Sequence, residues 1–177
     1  MNVADRIATI FHMDDEAWRR HANPWSVWTR FAAIPALLVA VWSRTWIGWW
    51  SLLPIGVVVA WLFLNPRVFP PVDNPETWAA RGIYGERAWL RDHNLIPPDH
   101  RAVLRLLTLV GLAGVGLIVW GLMALRLWPT AFGATVLVLA QLWRIDRFTR
   151  LWERVKGLQP IPGELAGGTP NATPPAV

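Results

Sequence analysis

Four long apolar runs divide the chain, at about 27–43, 48–64, 103–125 and 127–143, and polar stretches alternate with them. A helix needs about 17–25 predominantly apolar residues to cross the hydrocarbon of a bilayer. The run Val103–Leu125 meets that length most clearly, although Arg105 sits near its start. Only Arg44–Ile47 separate the first two runs, and a turn near Arg126–Pro129 separates the last two. Connections this short force antiparallel neighbours. The pattern predicts an all-α membrane protein: four transmembrane helices arranged as two antiparallel hairpins, with short amphipathic interfacial helices on the cytoplasmic side.

The best-marked boundary is His21-Ala22-Asn23-Pro24-Trp25-Ser26-Val27-Trp28-Thr29-Arg30. Asn is a good N-cap and Pro suits a first helical turn, so Asn23-Pro24 stops one helix and starts the next. Trp25 and Trp28, at i and i+3, mark a membrane–water boundary. Ahead of it, Val3, Ile7, Ile10 and Phe11 fall at helical spacing, and Asp14 or Asp15 can cap a turn leading to His21. In the middle polar stretch, Asn74-Pro75-Glu76 reads as cap, Pro and first-turn acid of a helix over about 75–91. Trp78, Gly82, Gly85 and Trp89 share one face of it. A surface-lying helix fits, with both Trp in the headgroups. Each Gly costs about 1 kcal/mol of helicity, which favours a break between them. The resulting organisation is an amphipathic cytoplasmic segment at 1–24, a four-helix membrane domain at 25–157 with a cytoplasmic loop at 65–102, and a disordered Pro/Gly-rich tail at 158–177.

Composition agrees with burial in lipid. Of 177 residues 54% are hydrophobic and only 16% charged, against about 25% charged in a soluble domain. The 17 basic residues flank the apolar runs instead of forming one dense patch, which argues against a nucleic-acid partner. Only Arg44 and Arg126 fall in the two outer turns; the other basic residues, and all 12 acids, lie on the opposite side. The positive-inside rule then places the protein as a multi-pass component of the inner (plasma) membrane, with both termini and the middle loop cytoplasmic. Acids close to the N-terminus and no small-residue cleavage site argue that the first apolar run is not a removed signal. Trp42, Trp46, Trp49 and Trp50 cluster at one outer turn and Trp128 at the other, while Trp25, Trp28, Trp143 and Trp152 mark the inner side.

The apolar cores hold no Asp, Glu, Lys or His, which disfavours proton relays and ion-coupled transport. All four His lie outside them, so a haem within the bundle lacks axial ligands. Absence of Cys removes thiolate metal sites and a Cys nucleophile, and His93 and His100 match no compact metal-ligand spacing. No cofactor is expected. Gly111, Gly114 and Gly121 form a small-residue face, and Ala131, Ala134 and Thr135 offer a similar surface on the fourth run. Close helix packing is their first use and homo-oligomer contact their second. Pro35 and Pro54 should kink the first two helices.

Polar chemistry gathers at the cytoplasmic rim: His21, Asn23, Arg30, Asn65, Arg67, Arg81, Glu86, Arg87, Asp146 and Arg147. Several Arg with Asn and a His can hold a lipid phosphate through bidentate hydrogen bonds, whereas flanking Arg also serve as plain interfacial anchors. Arg30, slightly deeper than the Trp belt, is expected to pair with Asp146, or failing that with Glu86. The rim points to a non-enzymatic protein acting through membrane lipid, notably anionic lipid, or an unidentified membrane partner. The alternative is a membrane enzyme or small-molecule carrier that uses the Arg-rich rim on an anionic lipid or metabolite.

Taken together, His21 to Arg30, Asn65-Pro66-Arg67, the segment Arg81 to Trp89, and Arg144 to Arg147 resemble an uncharacterised family of small prokaryotic four-helix integral membrane proteins. The likeness covers roughly residues 14–155. It implies a small integral membrane protein and carries over no activity, cofactor or site residue.

Overall fold

The computed structural model describes residues 15–91 and 98–156, and every regular element among them is helical. The expected amphipathic segment before Asp15 and the expected disordered tail lie outside the described residues. α1 (Asp15–His21) has acids in its first turn and Arg19, Arg20 and His21 in its last, matching the helix dipole at both ends. The chain then turns at Asn23, whose side chain accepts from Trp25 N at 3.0 Å, and Pro24 opens α2 (Pro24–Trp42).

A short helix α3 (Arg44–Ile47) and a 3₁₀ turn (Gly48–Ser51) reverse the chain into α4 (Leu52–Val68). Gly48 has φ +55°, a left-handed conformation that suits a residue without Cβ. Because α4 begins only at Leu52, Pro54 sits in its first turn, where a missing N–H breaks no helical ladder. It is a helix starter and not the expected interior kink; Pro35 does lie inside α2.

α2 and α4 run antiparallel, joined by polar side chains near one end. Asn65, fully buried, accepts from Ser26 Oγ at 2.6 Å and donates to Thr29 Oγ1 at 2.7 Å. Asn65 is the only buried residue of α4. The apolar surface of α4, Leu53, Val57 and Phe63 among it, faces outward.

α5 (Trp78–Arg91) starts three residues later than expected, because the Thr77 hydroxyl, not Asn74, caps it by accepting from Ala80 N at 3.2 Å. It is also no surface helix. Ala79, Ala80, Ile83, Tyr84 and Ala88 are buried, and Trp78 and Trp89 pack against the core instead of projecting outward. The two glycines do not break it. A Cβ on Gly85 would collide with the Phe148 carbonyl, and one on Gly82 would lie 2.5 Å from Ile145 Cγ2. Their helical cost is offset by the packing they permit.

α6 (Pro98–Met123) and α7 (Leu127–Val155) form the second hairpin, turning through Leu125 at φ +52°. Gly111, Gly114 and Gly121 do face α7. The opposing surface is Thr130, Gly133, Leu137 and Ala140, spaced i, i+3, i+7, i+10, rather than Ala131, Ala134 and Thr135. Ala131 and Thr135 are exposed one position round the helix.

The main cluster of buried residues lies at one end of the molecule. Ala22, in the turn after α1, meets Val27, Ile83, Tyr84, Leu104, Phe148, Leu151 and Trp152 from four helices around the last turns of α7. At the other end Arg44 donates to the Leu122 carbonyl. Two stretches, Pro24–Val68 and His100–Met123, are long and apolar enough to cross a membrane by length and composition. Many of their large apolar side chains are exposed, including Val57, Leu106, Leu109 and Leu112, a surface that soluble monomers rarely present.

The glycine contacts make a paired prediction for thermal unfolding in detergent. Gly85→Ala should lose at least about 2 kcal/mol through overpacking against backbone. Gly56→Ala, where nothing lies within 4 Å of the new Cβ, should be neutral or gain up to about 1 kcal/mol in helix propensity. Equal effects at both positions would refute the α5–α7 contact.

Candidate functional site

Five polar side chains meet in an open cavity of about 410 Å³ between α1, α2, α5 and α7: His21, Arg30, Glu86, Gln141 and Arg144. Apolar walls are supplied by Val27, Phe31 and Ile34 of α2, Ile83 of α5, and Leu137 and Ile145 of α7. The helical repeat explains the lining: 27, 30, 31 and 34 share one face of α2, while 137, 141, 144 and 145 share one face of α7.

Arg30 folds back along its own helix. Its Nε donates to the Ser26 carbonyl at 3.0 Å, and Nη1 lies 2.7 Å from His21 Nε2. Guanidinium has no acceptor, so Arg30 must donate and His21 Nε2 must be bare. The proton of the neutral ring therefore sits on Nδ1, which is sealed from solvent with no hydrogen-bond partner among the described residues. Burial, with the Arg30 charge beside it, pushes the His21 pKa down to about 3. Trp18 holds the ring edge-on at 5.8 Å.

Arg144 Nη2 donates to Glu86 Oε1 at 3.0 Å, and its guanidinium carbon lies 5.5 Å from the Phe148 ring centre. Each partner of this pair is about a quarter exposed. The cavity thus carries two guanidinium groups, one carboxylate and a neutral imidazole, a surplus of one positive charge.

The remaining rim residues are placed elsewhere. Asn23 caps α2 and donates to the Pro70 carbonyl at 3.1 Å, and Asn65 joins α2 to α4. Arg81 reaches Glu153 at 3.3 Å and the Pro75 carbonyl at 3.2 Å. Arg87, nearly buried, pairs with Asp15; burial and then the neighbouring Arg91 lower its pKa, against the pull of Asp15. Arg67 is exposed on the last turn of α4. Asp146 binds Arg150 at 3.0 Å one turn along its own helix, so it is not the partner of Arg30. Glu86 lines the same cavity as Arg30 but bonds Arg144. Arg147 offers its carbonyl to His100 Nε2 at 3.3 Å. Of the ten rim residues, only His21, Arg30 and Glu86 line the cavity.

Gln141 and Arg144 are the cavity residues that the sequence pattern did not single out. A signal existed: Gln141 is the one carboxamide in the run 127–143, and Leu137, Gln141, Arg144 and Phe148 recur at i, i+4, i+7, i+11. No group of three or more His, Asp or Glu that could hold a metal occurs among the described residues. What the arrangement offers chemically is a part-buried pair of guanidinium donors, one of them already holding a carboxylate. That is the equipment of an anion site.

These features define an all-helical protein with two stretches of membrane-crossing length and a polar, positively charged cavity at its packed end. The chain belongs to a family of unknown function (DUF6653), which it matches over residues 2–170. No curated protein and no solved structure matches it.

The His21 geometry predicts a pH dependence. A ring with pKa 6.5 unfolded and about 3 folded binds more protons when unfolded, so acid favours unfolding. Stability should be level above about pH 7 and fall as pH drops below about 6.5, by at most about 1.4 kcal/mol per pH unit from this group. His21→Gln should be flatter than the parent between about pH 4.5 and 6.5 in chemical denaturation. Parallel pH profiles would contradict the neutral, Arg30-bound imidazole.

Proposed function

We propose that the chain is an integral membrane protein that crosses the bilayer four times and acts by non-covalent contact with anionic lipid at its cytoplasmic end. The observation that carries this reading is the position of the charged cavity: it lies beside the packed hydrophobic core, among helices whose outer faces remain apolar.

Helix lengths support the four crossings. At about 1.5 Å per residue, α2 with its 19 residues and α4 with its 17 come close to the thickness of bilayer hydrocarbon. α6 and α7, with 26 and 29 residues, are long enough to cross and still extend into the packed core. Both hairpin turns carry exposed tryptophans, Trp46, Trp49 and Trp50 on one and Trp128 on the other, as headgroup anchors do. The charge asymmetry of the sequence favours a cytoplasmic location for the core, the Phe69–Thr77 loop and both termini.

Contact is favoured over catalysis by the chemistry of the cavity. Its histidine is committed as an acceptor to Arg30, and its carboxylate is committed to Arg144. Neither is left free to move a proton.

Topology reporters test the membrane part of this reading. A reporter placed in the Pro70–Pro75 loop, or after Val177, should report the cytoplasm. One at Thr45 or at Leu125 should report the opposite side. Opposite readouts from the loop and C-terminal fusions would end the four-crossing arrangement.

A further inference from the structure

We propose that the cavity is a headgroup site for a singly anionic, acyl-chain lipid, whose phosphate or carboxylate takes the place of the Glu86 carboxylate between Arg144 and Arg30. The proposal rests on the membrane reading above and gives that reading a ligand class and a binding geometry.

The apolar wall of the cavity extends past its polar groups toward the hydrophobic middles of α2 and α7. His21, Arg30, Glu86, Gln141 and Arg144 supply the polar lining, whereas Phe31, Ile34 and Leu137 are apolar and include the positions farthest along α2 and α7 toward their hydrophobic middles. From Arg30 to Ile34 the helix rises about 6 Å, so head and tail chemistry are separated by a distance natural to an amphiphile. The hairpins are held together by the packed core at one end and linked by Arg44 and the Leu122 carbonyl at the other. Between these ends, α2 and α7 both line the cavity, and their apolar positions Phe31, Ile34 and Leu137 form its wall on the side of the hydrophobic middles. A volume of about 410 Å³ suits a headgroup with the first part of one chain, within the usual range for small-ligand pockets.

With His21 neutral, Arg30 and Arg144 face one carboxylate, which leaves a single unit of positive charge for a single anion. Glu86 occupies the position an anionic ligand would use, as an internal stand-in. A lipid phosphate or carboxylate competes with it for Arg144, and Gln141 supplies an amide donor beside the exchange. Arg30 is presented toward the cavity by its bonds to the Ser26 carbonyl and to His21, so little ordering is required on binding.

The competition makes a test that a purely structural ion pair would fail. The full chain, purified in a maltoside detergent and freed of lipid, is titrated with phosphatidylglycerol, oleate, phosphatidylcholine and inorganic phosphate, and occupancy is read by native mass spectrometry. One phosphatidylglycerol or one oleate per chain is expected, with phosphatidylcholine at least about tenfold weaker. Phosphatidylglycerol alone binding identifies a phospholipid as the source, and oleate alone identifies a fatty carboxylate; either supports the site. Glu86→Gln, which keeps the shape and removes the competing charge, should tighten binding several-fold. Arg144→Gln and Arg30→Gln should each weaken it about tenfold or more. Ile34→Trp, which fills the apolar slot without touching a charge, should weaken both lipids. Binding of inorganic phosphate as tight as that of the lipids would overturn the acyl part of the proposal. Weaker binding in Glu86→Gln, or lipid occupancy indifferent to Glu86→Gln and Ile34→Trp, would overturn the site while leaving the topology result standing.

Discussion

A side chain at Gly85 would run into the Phe148 carbonyl, so α5 can lie on α7 at its observed distance only because that position has none. Gly82, one turn earlier, makes the same allowance against Ile145. The close approach seats Ile83, Tyr84 and Ala88 among Phe148, Leu151 and Trp152. Tyr84 then reaches out to the Val72 carbonyl at 2.7 Å, and Val72 N in turn bonds the Arg19 carbonyl at 3.0 Å. In this way the middle loop and α1 are drawn onto the same core. Trp28 of α2 stacks on Trp78 at 6.2 Å and brings the first hairpin to it. One backbone contact thereby organises the whole polar end of the molecule.

The cavity follows from that arrangement. α5 packs closely on the C-terminal part of α7 and touches α2, while α2 and α7 meet each other only sparsely. The space left is lined by the faces α2 and α7 would otherwise have buried in each other. Charged groups there cannot all reach water, so each is satisfied locally: Arg30 by a carbonyl and a neutral imidazole, and Arg144 by Glu86 and the Phe148 ring. Buried charge is tolerated only with such partners. With the Glu86 carboxylate on Arg144, that guanidinium is charge-paired without any added ligand.

Much of this architecture was legible in the sequence because it depends on local rules. The all-helical content and the antiparallel pairing within each hairpin follow from apolar run lengths and short turns. Asn23-Pro24 marks a helix start through cap chemistry alone. The misreadings occurred where tertiary contact outweighed local pattern. Trp78 and Trp89 look like headgroup anchors until Gly82 and Gly85 are recognised as a close-packing seam, which requires knowing that α7 lies opposite. Depth along two helices matches Arg30 to Asp146, but Asp146 has a partner one turn away in Arg150. Its actual neighbour, His21, is only nine residues distant, across the bend at Asn23. Gln141 and Arg144 do not stand out as rim residues in the sequence, because a face shared at helical spacing says nothing of what it confronts.

The proposed membrane arrangement requires that the apolar faces of the hairpins meet lipid while the α5–α7 core stands in water. The chain contains no cysteine, so single cysteines can be placed and spin-labelled at will. Labels at Val57 and Leu109, both exposed apolar positions, and at Glu153, exposed on the charged end of α7, would be compared in liposomes by their collision with molecular oxygen and with a water-soluble nickel chelate. The account predicts high oxygen and low nickel accessibility at Val57 and Leu109, with the reverse at Glu153. High nickel accessibility at Val57 and Leu109 would place those faces in water and contradict it.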